Sequence, residues 1–235
     1  MSVAESPGQQ IEQRLVGGPG DRALAGWEIA SVVSSVIIAE WMVSLASAGS
    51  KFIVAIPIML AFAFMVLSHR LRNETLRDIG FRFDNFFRAA LLLLFPMLLA
   101  TVLCLVLGHW FGAQIDLQRW HPGLPIPGKL ILGFGWGILQ QYVLQGFLNR
   151  RAQIVWRPGW ISVLMIGAIF AGLHFPNIWL IIVTFAGGVI WAAIYQRAPN
   201  IFALALSHSL MTWVLVSTLP GPALHHLRVG FKYLG

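Results

Sequence analysis

The chain has 235 residues, 57% of them hydrophobic and only 11% charged, with a mean hydropathy of +0.75. Soluble domains run at about 45–50% apolar and about 25% charged, so this composition excludes an ordinary soluble enzyme and implies an integral membrane protein. The formal net charge of +7 has no free-standing basic segment behind it; it reads as a topology and lipid-headgroup signal rather than a nucleic-acid footprint.

The N-terminal stretch 1–26 is polar and rich in Gly, Pro and Gln, with no apolar core of its own, and reads as a disordered leader. Apolar runs then recur at 27–48, 52–68, 89–108, 130–149, 159–174, 178–195 and 201–219. Lengths of roughly 17–22 residues suit a hydrocarbon core about 30 Å thick. The expected fold is all-α: one polytopic transmembrane helical bundle of about seven spans over 27–219, followed by a short basic outer tail, 220–235. The first two spans join through a tight turn at 49–51, and the fifth and sixth through Phe175-Pro176-Asn177, so both pairs should be helical hairpins.

Seven spans put the two ends on opposite faces. One face collects Arg14, Arg22, Arg70, Arg72, Arg77, Arg82, Arg88, Arg150, Arg151, Arg157 and Arg197; the other collects Lys51, Arg119, Lys129, Arg228 and Lys232. The arginine-rich face, with the N-terminus, is therefore cytoplasmic. Trp27, Trp110, Trp120, Trp156 and Trp160 fall near span ends, where an aromatic belt is expected. A bacterial inner membrane is the expected location. Cys104 is the sole cysteine, so no intrachain disulfide can form, and it should be a small buried hydrophobe.

Polar residues within the spans are the chemical signal, because an amide, imidazole or carboxylate in hydrocarbon needs a partner. In the first span Glu28 sits near the cytoplasmic end, within reach of water, whereas Glu40 lies about 18 Å further along the helix. A carboxylate there must be neutral, paired or facing a wet cavity. The cytoplasmic stretch 69–87 mixes charge with Phe and Leu, and fits either an interfacial amphipathic segment or a solvated connector. The nine acids end at Asp116, so the later spans contain no carboxylate of their own. Those spans hold polar pairs at i, i+4, a spacing that shares one helix face: Gln141 with Gln145, Phe170 with His174, and His208 with Thr212. Gln140 is adjacent. A shared polar pocket is the expectation, against the blander reading of helix-to-helix hydrogen bonds.

These residues resemble the CPBP family of CAAX-protease-like, or Abi, intramembrane endopeptidases. That family is recognised by E-E-x-x-x-R, then F-x-x-x-H, then H-x-x-x-N or a close variant, each on a transmembrane helix. Here the second motif is intact as Phe170-Ala-Gly-Leu-His174, and the third reads His208-Ser-Leu-Met-Thr212. The first reads Gln140-Gln141-Tyr-Val-Leu-Gln145. The resemblance spans about 75–213. It implies hydrolysis of a peptide bond in a membrane-associated substrate, with Gln140 at the base position, Gln141 beside it, and Gln145 in place of the arginine. It further assigns His174 to water activation and His208 with Thr212 to the oxyanion.

Glutamine does not titrate, so an active site of this kind must take its base from His174, His208 or Glu40. Glu40 is accordingly expected close enough to one of the two histidines to influence its charge state. Two alternatives remain open. One is a non-catalytic bundle of the same fold that binds a peptide or protein partner. The other is a zinc-dependent hydrolase with His174, His208 and Glu40 as ligands, although the sequence has no HExxH-type pair and no cofactor is otherwise implied.

Overall fold

The computed structural model describes residues 18–43 and 51–234. Among them every regular element is helical. Helix α1, Pro19–Ile37, opens with proline in its first turn and Asp21 beside it, a start that suits the orphan N–H groups and the positive end of the dipole. It therefore takes in residues 19–26, the end of the segment expected to be a leader. It then widens into a π-helical turn, Ile38–Val43. Helices α2 (Lys51–Leu71) and α3 (Phe86–Trp110) follow. Helix α4 runs without a break from 126 to 156: Ile126–Gln141 is α-helical, Tyr142–Asn149 is π-helical and Arg150–Trp156 is α-helical again. Helices α5 (Trp160–Gly172), α6 (Ile178–Arg197) and α7 (Ile201–Thr218) complete the bundle. Short turns Gly221–Leu224, His225–Leu227 and Phe231–Leu234 end the chain.

Within the described residues, each apolar run of the sequence falls on one of α1 to α7; residues 44–48 of the first run lie outside them. Helices Pro19–Trp41, Phe86–Trp110, Ile178–Arg197 and Ile201–Thr218 are long and apolar enough to cross a membrane, and Ala55–Leu71 and Trp160–Gly172 are shorter apolar helices. The turn at 49–51 lies outside the described residues; the α5–α6 hairpin at Phe175–Asn177 is present, capped by Asn177, whose side chain accepts from the Leu180 N–H. On α3, Phe87, Leu91 and Phe95 are exposed at successive i+4 positions, an apolar stripe suited to lipid. Cys104 is buried. Among the remaining tryptophans, Trp191 packs inside, while Trp136 and Trp179 face outward.

Two glycine seams bring helices unusually close. A Cβ on Gly137 would stand 2.7 Å from the Ala205 carbonyl oxygen, and one on Gly133 would meet Trp120 and the Ser209 hydroxyl. Helix α4 thus crosses α7 backbone to backbone, the small-xxx-small geometry of membrane helix pairs. On the α5–α6 seam, a Cβ on Gly188 would reach Gly167 Cα at 3.0 Å. Around these crossings lies a core that includes Val32, Met65, Phe147, Leu148, Ile166, Ile201 and Leu204.

The cytoplasmic segment between α2 and α3 is docked, rather than solvated or lying free at the interface. Ile79 is buried; Ile201 N–H donates to Gly80 O at 2.8 Å, Tyr195 OH donates to Ile79 O, and Asn200 Nδ2 donates to Arg82 O. Asn200 also caps α7 by accepting from Ala203 N–H. One loop therefore sets the start of the helix that holds His208.

Candidate active site

Gln141 follows Gly133 and Gly137 at i+8 and i+4 on the face of α4 that crosses α7. It is fully buried, and its Nε2 lies 3.1 Å from His208 Nδ1. The His208 ring stacks on the Trp191 indole, with centroids 4.6 Å apart and planes 8° from parallel. Trp191 Nε1–H donates to the Ser207 hydroxyl at 2.9 Å, and that hydroxyl donates to Leu204 O. His208 is thus gripped from two sides, by an amide edge and an indole face.

His174 stands in the turn closing the α5–α6 hairpin. Its Nδ1 is 2.7 Å from the carbonyl of Phe170, and the Phe170 ring meets it edge-on at 4.8 Å and faces His208 at 6.2 Å. A carbonyl oxygen can only accept, so Nδ1 of His174 holds the proton and Nε2 presents a lone pair when the ring is neutral. For His208 the relation is reversed: with Gln141 Nε2 as donor, Nδ1 accepts and Nε2 bears the hydrogen. The two imidazoles are in complementary states, one fit to take a proton and the other to give a hydrogen bond.

Two amide atoms are buried without a partner, Gln141 Oε1 and Gln145 Nε2. Buried polar groups are nearly always paired, so an orphan of this kind in a polar pocket marks a place for a ligand or water. Gln145 itself turns to its own helix: its Oε1 accepts from Asn149 Nδ2, and Asn149 in turn meets Ala192 O and Gln196 Nε2. Gln140 and Thr212 are half-buried and make no side-chain hydrogen bond among the described residues. The backbone of Glu40, in the π-helical turn of α1, approaches the turn of His174 through Gly230: a Cβ there would lie 3.0 Å from the Glu40 carbonyl oxygen, and the Gly230 N–H donates to Phe175 O. The structure brings Gln141, His208, Phe170 and His174 into one neighbourhood, with the Glu40 backbone tied to the turn after His174 through Gly230, and sets Gln145 in a separate amide network. Among the described residues no three His, Cys, Asp or Glu side chains stand together as a metal-ligand group.

A second polar centre, at the arginine-rich end of the bundle, has no counterpart in the motif reading. Arg151 is completely buried. Its Nη1 and Nη2 donate to Glu74 at 3.0 and 2.8 Å, Nη2 also donates to Ser68 Oγ, and Nε lies 2.9 Å from Glu28 Oε2. That last contact is an ion pair whose angle is too poor for a hydrogen bond. Arg150 and His69 Nδ1 also reach Glu74, and Arg72 reaches Glu28. Glu28, expected to reach water, is 4% exposed. Burial opposes ionisation of Glu74, but hydrogen bonds from His69 and Arg151 and the charges of Arg150 and Arg151 outweigh it and hold the carboxyl well below the usual range. The signal available beforehand was charge at span ends: Arg150-Arg151 beside acids on two other cytoplasmic ends.

A bundle of apolar helices around a buried amide and two imidazoles defines the class, an integral membrane protein with a polar centre inside its bundle. Residues 122–214 match the family described as Type II CAAX prenyl endopeptidase Rce1-like. The match covers less than half of the chain but takes in α4 to α7 and all three motif positions, and it falls on the family that the motifs resemble. Over those residues the chain is similar to CAAX-protease-like intramembrane endopeptidases. Neither a curated protein nor a solved structure matches the chain.

Proposed function

We propose that the protein is an intramembrane endopeptidase that hydrolyses a peptide bond of a membrane-associated substrate, with histidine in place of glutamate as the base. The observation that supports it is the complementary pair of imidazoles. His174 Nε2 would take a proton from water, and the hydroxide oxygen would attack the carbonyl carbon. His208 Nε2–H would donate to the oxyanion, and the proton on His174 would pass to the leaving amine as the C–N bond breaks. Gln141 serves by fixing the His208 tautomer. Gln140 and Thr212, half-buried on the helices that hold Gln141 and His208, would offer groups able to hold the substrate amide. The family description names prenyl endopeptidases; this reading commits to the peptide and to no lipid on it. The setting is an inner membrane of bacterial type, with the arginine-rich loops toward the cytoplasm.

The test is cleavage of a membrane-anchored peptide reporter by the purified protein in liposomes. General-base assistance contributes about 10²- to 10⁴-fold, so His174→Ala should lower kcat by at least the smaller factor. Cleavage that survives both His174→Ala and His208→Ala would sink the reading. A second reading, a non-catalytic bundle that binds a peptide or protein partner, draws support from the amides at Gln140 and Gln141, which cannot titrate. It wins if the parent is inert and Gln140→Glu creates activity.

A further inference from the structure

A histidine that takes a proton in a desolvated pocket becomes an imidazolium, and a cation there is costly without a negative neighbour. No Asp or Glu follows Asp116, so α4 to α7 cannot supply one. Among the other described acids, Asp21 lies in the first turn of α1, Glu28 and Glu74 are committed to the clustered arginines, Asp78 and Asp84 sit in the loop between α2 and α3, and Asp116 belongs to the loop after α3. Glu40 is different. Its backbone, in the π-helical turn of α1, is tied to the turn containing His174.

The tie is made by the C-terminal tail. Gly230 N–H donates to Phe175 O, the residue after His174, at 3.0 Å. A Cβ on Gly230 would lie 3.0 Å from the Glu40 carbonyl oxygen, and Gly230 has φ +59, a conformation that suits glycine. Next to it Trp41 is held between Phe175, stacked at 5.9 Å, and Phe231, edge-on at 4.9 Å. Asn177 Nδ2 closes the other side by donating to Leu224 O and Arg228 O. The π-helical turn at Ile38–Val43 is the kind of local rewinding found at functional sites, and here it shifts the register of Glu40 relative to an α-helix.

We propose that Glu40 is the positioning carboxylate of this site, stabilising the His174 imidazolium from the first helix, and that the C-terminal tail is the clamp that holds it there. This rests on the peptidase reading. The carboxylate of the reaction would then enter from a helix outside the three motif helices, and the tail would be part of the site rather than an appendage of the outer surface.

The test uses the full-length protein in liposomes with the membrane-anchored reporter. Glu40→Gln is expected to lower kcat roughly 10²-fold with KM changed less than twofold, and Glu40→Asp, which keeps the charge, to retain at least a tenth of the parent rate. Gly230→Ala should lower kcat about tenfold, and adding it to Glu40→Gln should cause no further loss, because both act through one carboxylate. Thermal unfolding of each variant separates loss of function from loss of fold. A kcat unchanged in Glu40→Gln, or lost equally in Glu40→Asp and Glu40→Gln at intact stability, overturns the inference and leaves the peptidase reading standing. Independent, additive losses from Glu40→Gln and Gly230→Ala overturn the clamp. A parent protein with no cleavage overturns both, and that result is distinct from the others.

Discussion

The two polar centres of this bundle are built on opposite plans. At the arginine-rich end Arg151, Arg150 and Arg72 meet Glu28 and Glu74 in a set of ion pairs, with Ser68 and His69 filling in. Between α4, α5 and α7 the groups are amide and imidazole, and Gln141 Oε1 is left without a partner. The charges of the first centre are ion-paired, and the atoms left without a hydrogen bond, Arg151 Nε and His69 Nε2, belong to groups already engaged with Glu28 and Glu74, so removing one member strands the rest in low dielectric. A neutral set with an orphaned acceptor is cheaper to disturb and has something to offer an incoming amide. The first centre is suited to holding the bundle, and the second is the one on which the proposed peptidase reading rests.

The sharpest way to break that division is to exchange the phenotypes. Arg151→Ala leaves two buried carboxylates with diminished compensation, and breaking a buried pair in this way costs about 3–5 kcal/mol. The expected result is a large fall in the thermal unfolding midpoint in detergent, with activity lost only because the fold is lost. His174→Ala should do the reverse: a rate reduced by 10²-fold or more, with stability changed by about 1 kcal/mol, the net worth of its hydrogen bond to Phe170 O. His208→Ala falls between. It strands Gln141 Nε2, at a cost of about 1–3 kcal/mol, as well as removing the oxyanion donor. Should Arg151→Ala fold normally and lose only kcat, the arginine-rich centre is part of the chemistry and the division fails.

Acid should weaken the first centre. The folded-state pKa of Glu74 is held below its ordinary value of 4.5, so the unfolded chain binds the proton more readily. The stability that Glu74 contributes is then full above about pH 4.5 and is lost progressively as pH falls below it. A midpoint that drops on acidification in the parent and less in Glu74→Gln, when each is compared with its own value at neutral pH, is the expected pattern.

How much of this was legible beforehand depends on how local each signal is. Hydropathy marks α1 to α7 because burial in lipid is a property of each segment alone, and the Phe175–Asn177 hairpin follows from the shortness of its turn. The i, i+4 rule linked Gln141 to Gln145, but it presumes 3.6 residues per turn. From Tyr142 to Asn149 the helix is π-wound, so Gln145 rotates off the face of Gln141 and meets Asn149 instead. His208 meets Gln141 rather than a partner on its own helix because the Gly133–Gly137 seam sets α4 against α7, a tertiary fact with only a weak sequence signature. The Arg151 cluster draws on α1, α2, the following loop and α4, and no pattern within one segment reports it. The tail contact with Glu40 is longer in range still.

The smallest expected effect concerns the indole beneath His208. Trp191→Phe keeps an aromatic face for the imidazole but removes the Nε1–H that donates to Ser207 Oγ. Ser207 still donates to Leu204 O, so no donor is stranded and one neutral hydrogen bond is lost, about 0.5–1.5 kcal/mol. The thermal midpoint should fall slightly, and kcat by several-fold at most, through looser placement of the ring. A much larger fall in kcat at unchanged stability would mean that the stack, rather than Gln141, sets the orientation of His208. The variant Gln141→Leu decides between them: if the amide fixes the tautomer, its loss costs more rate than the loss of the indole N–H.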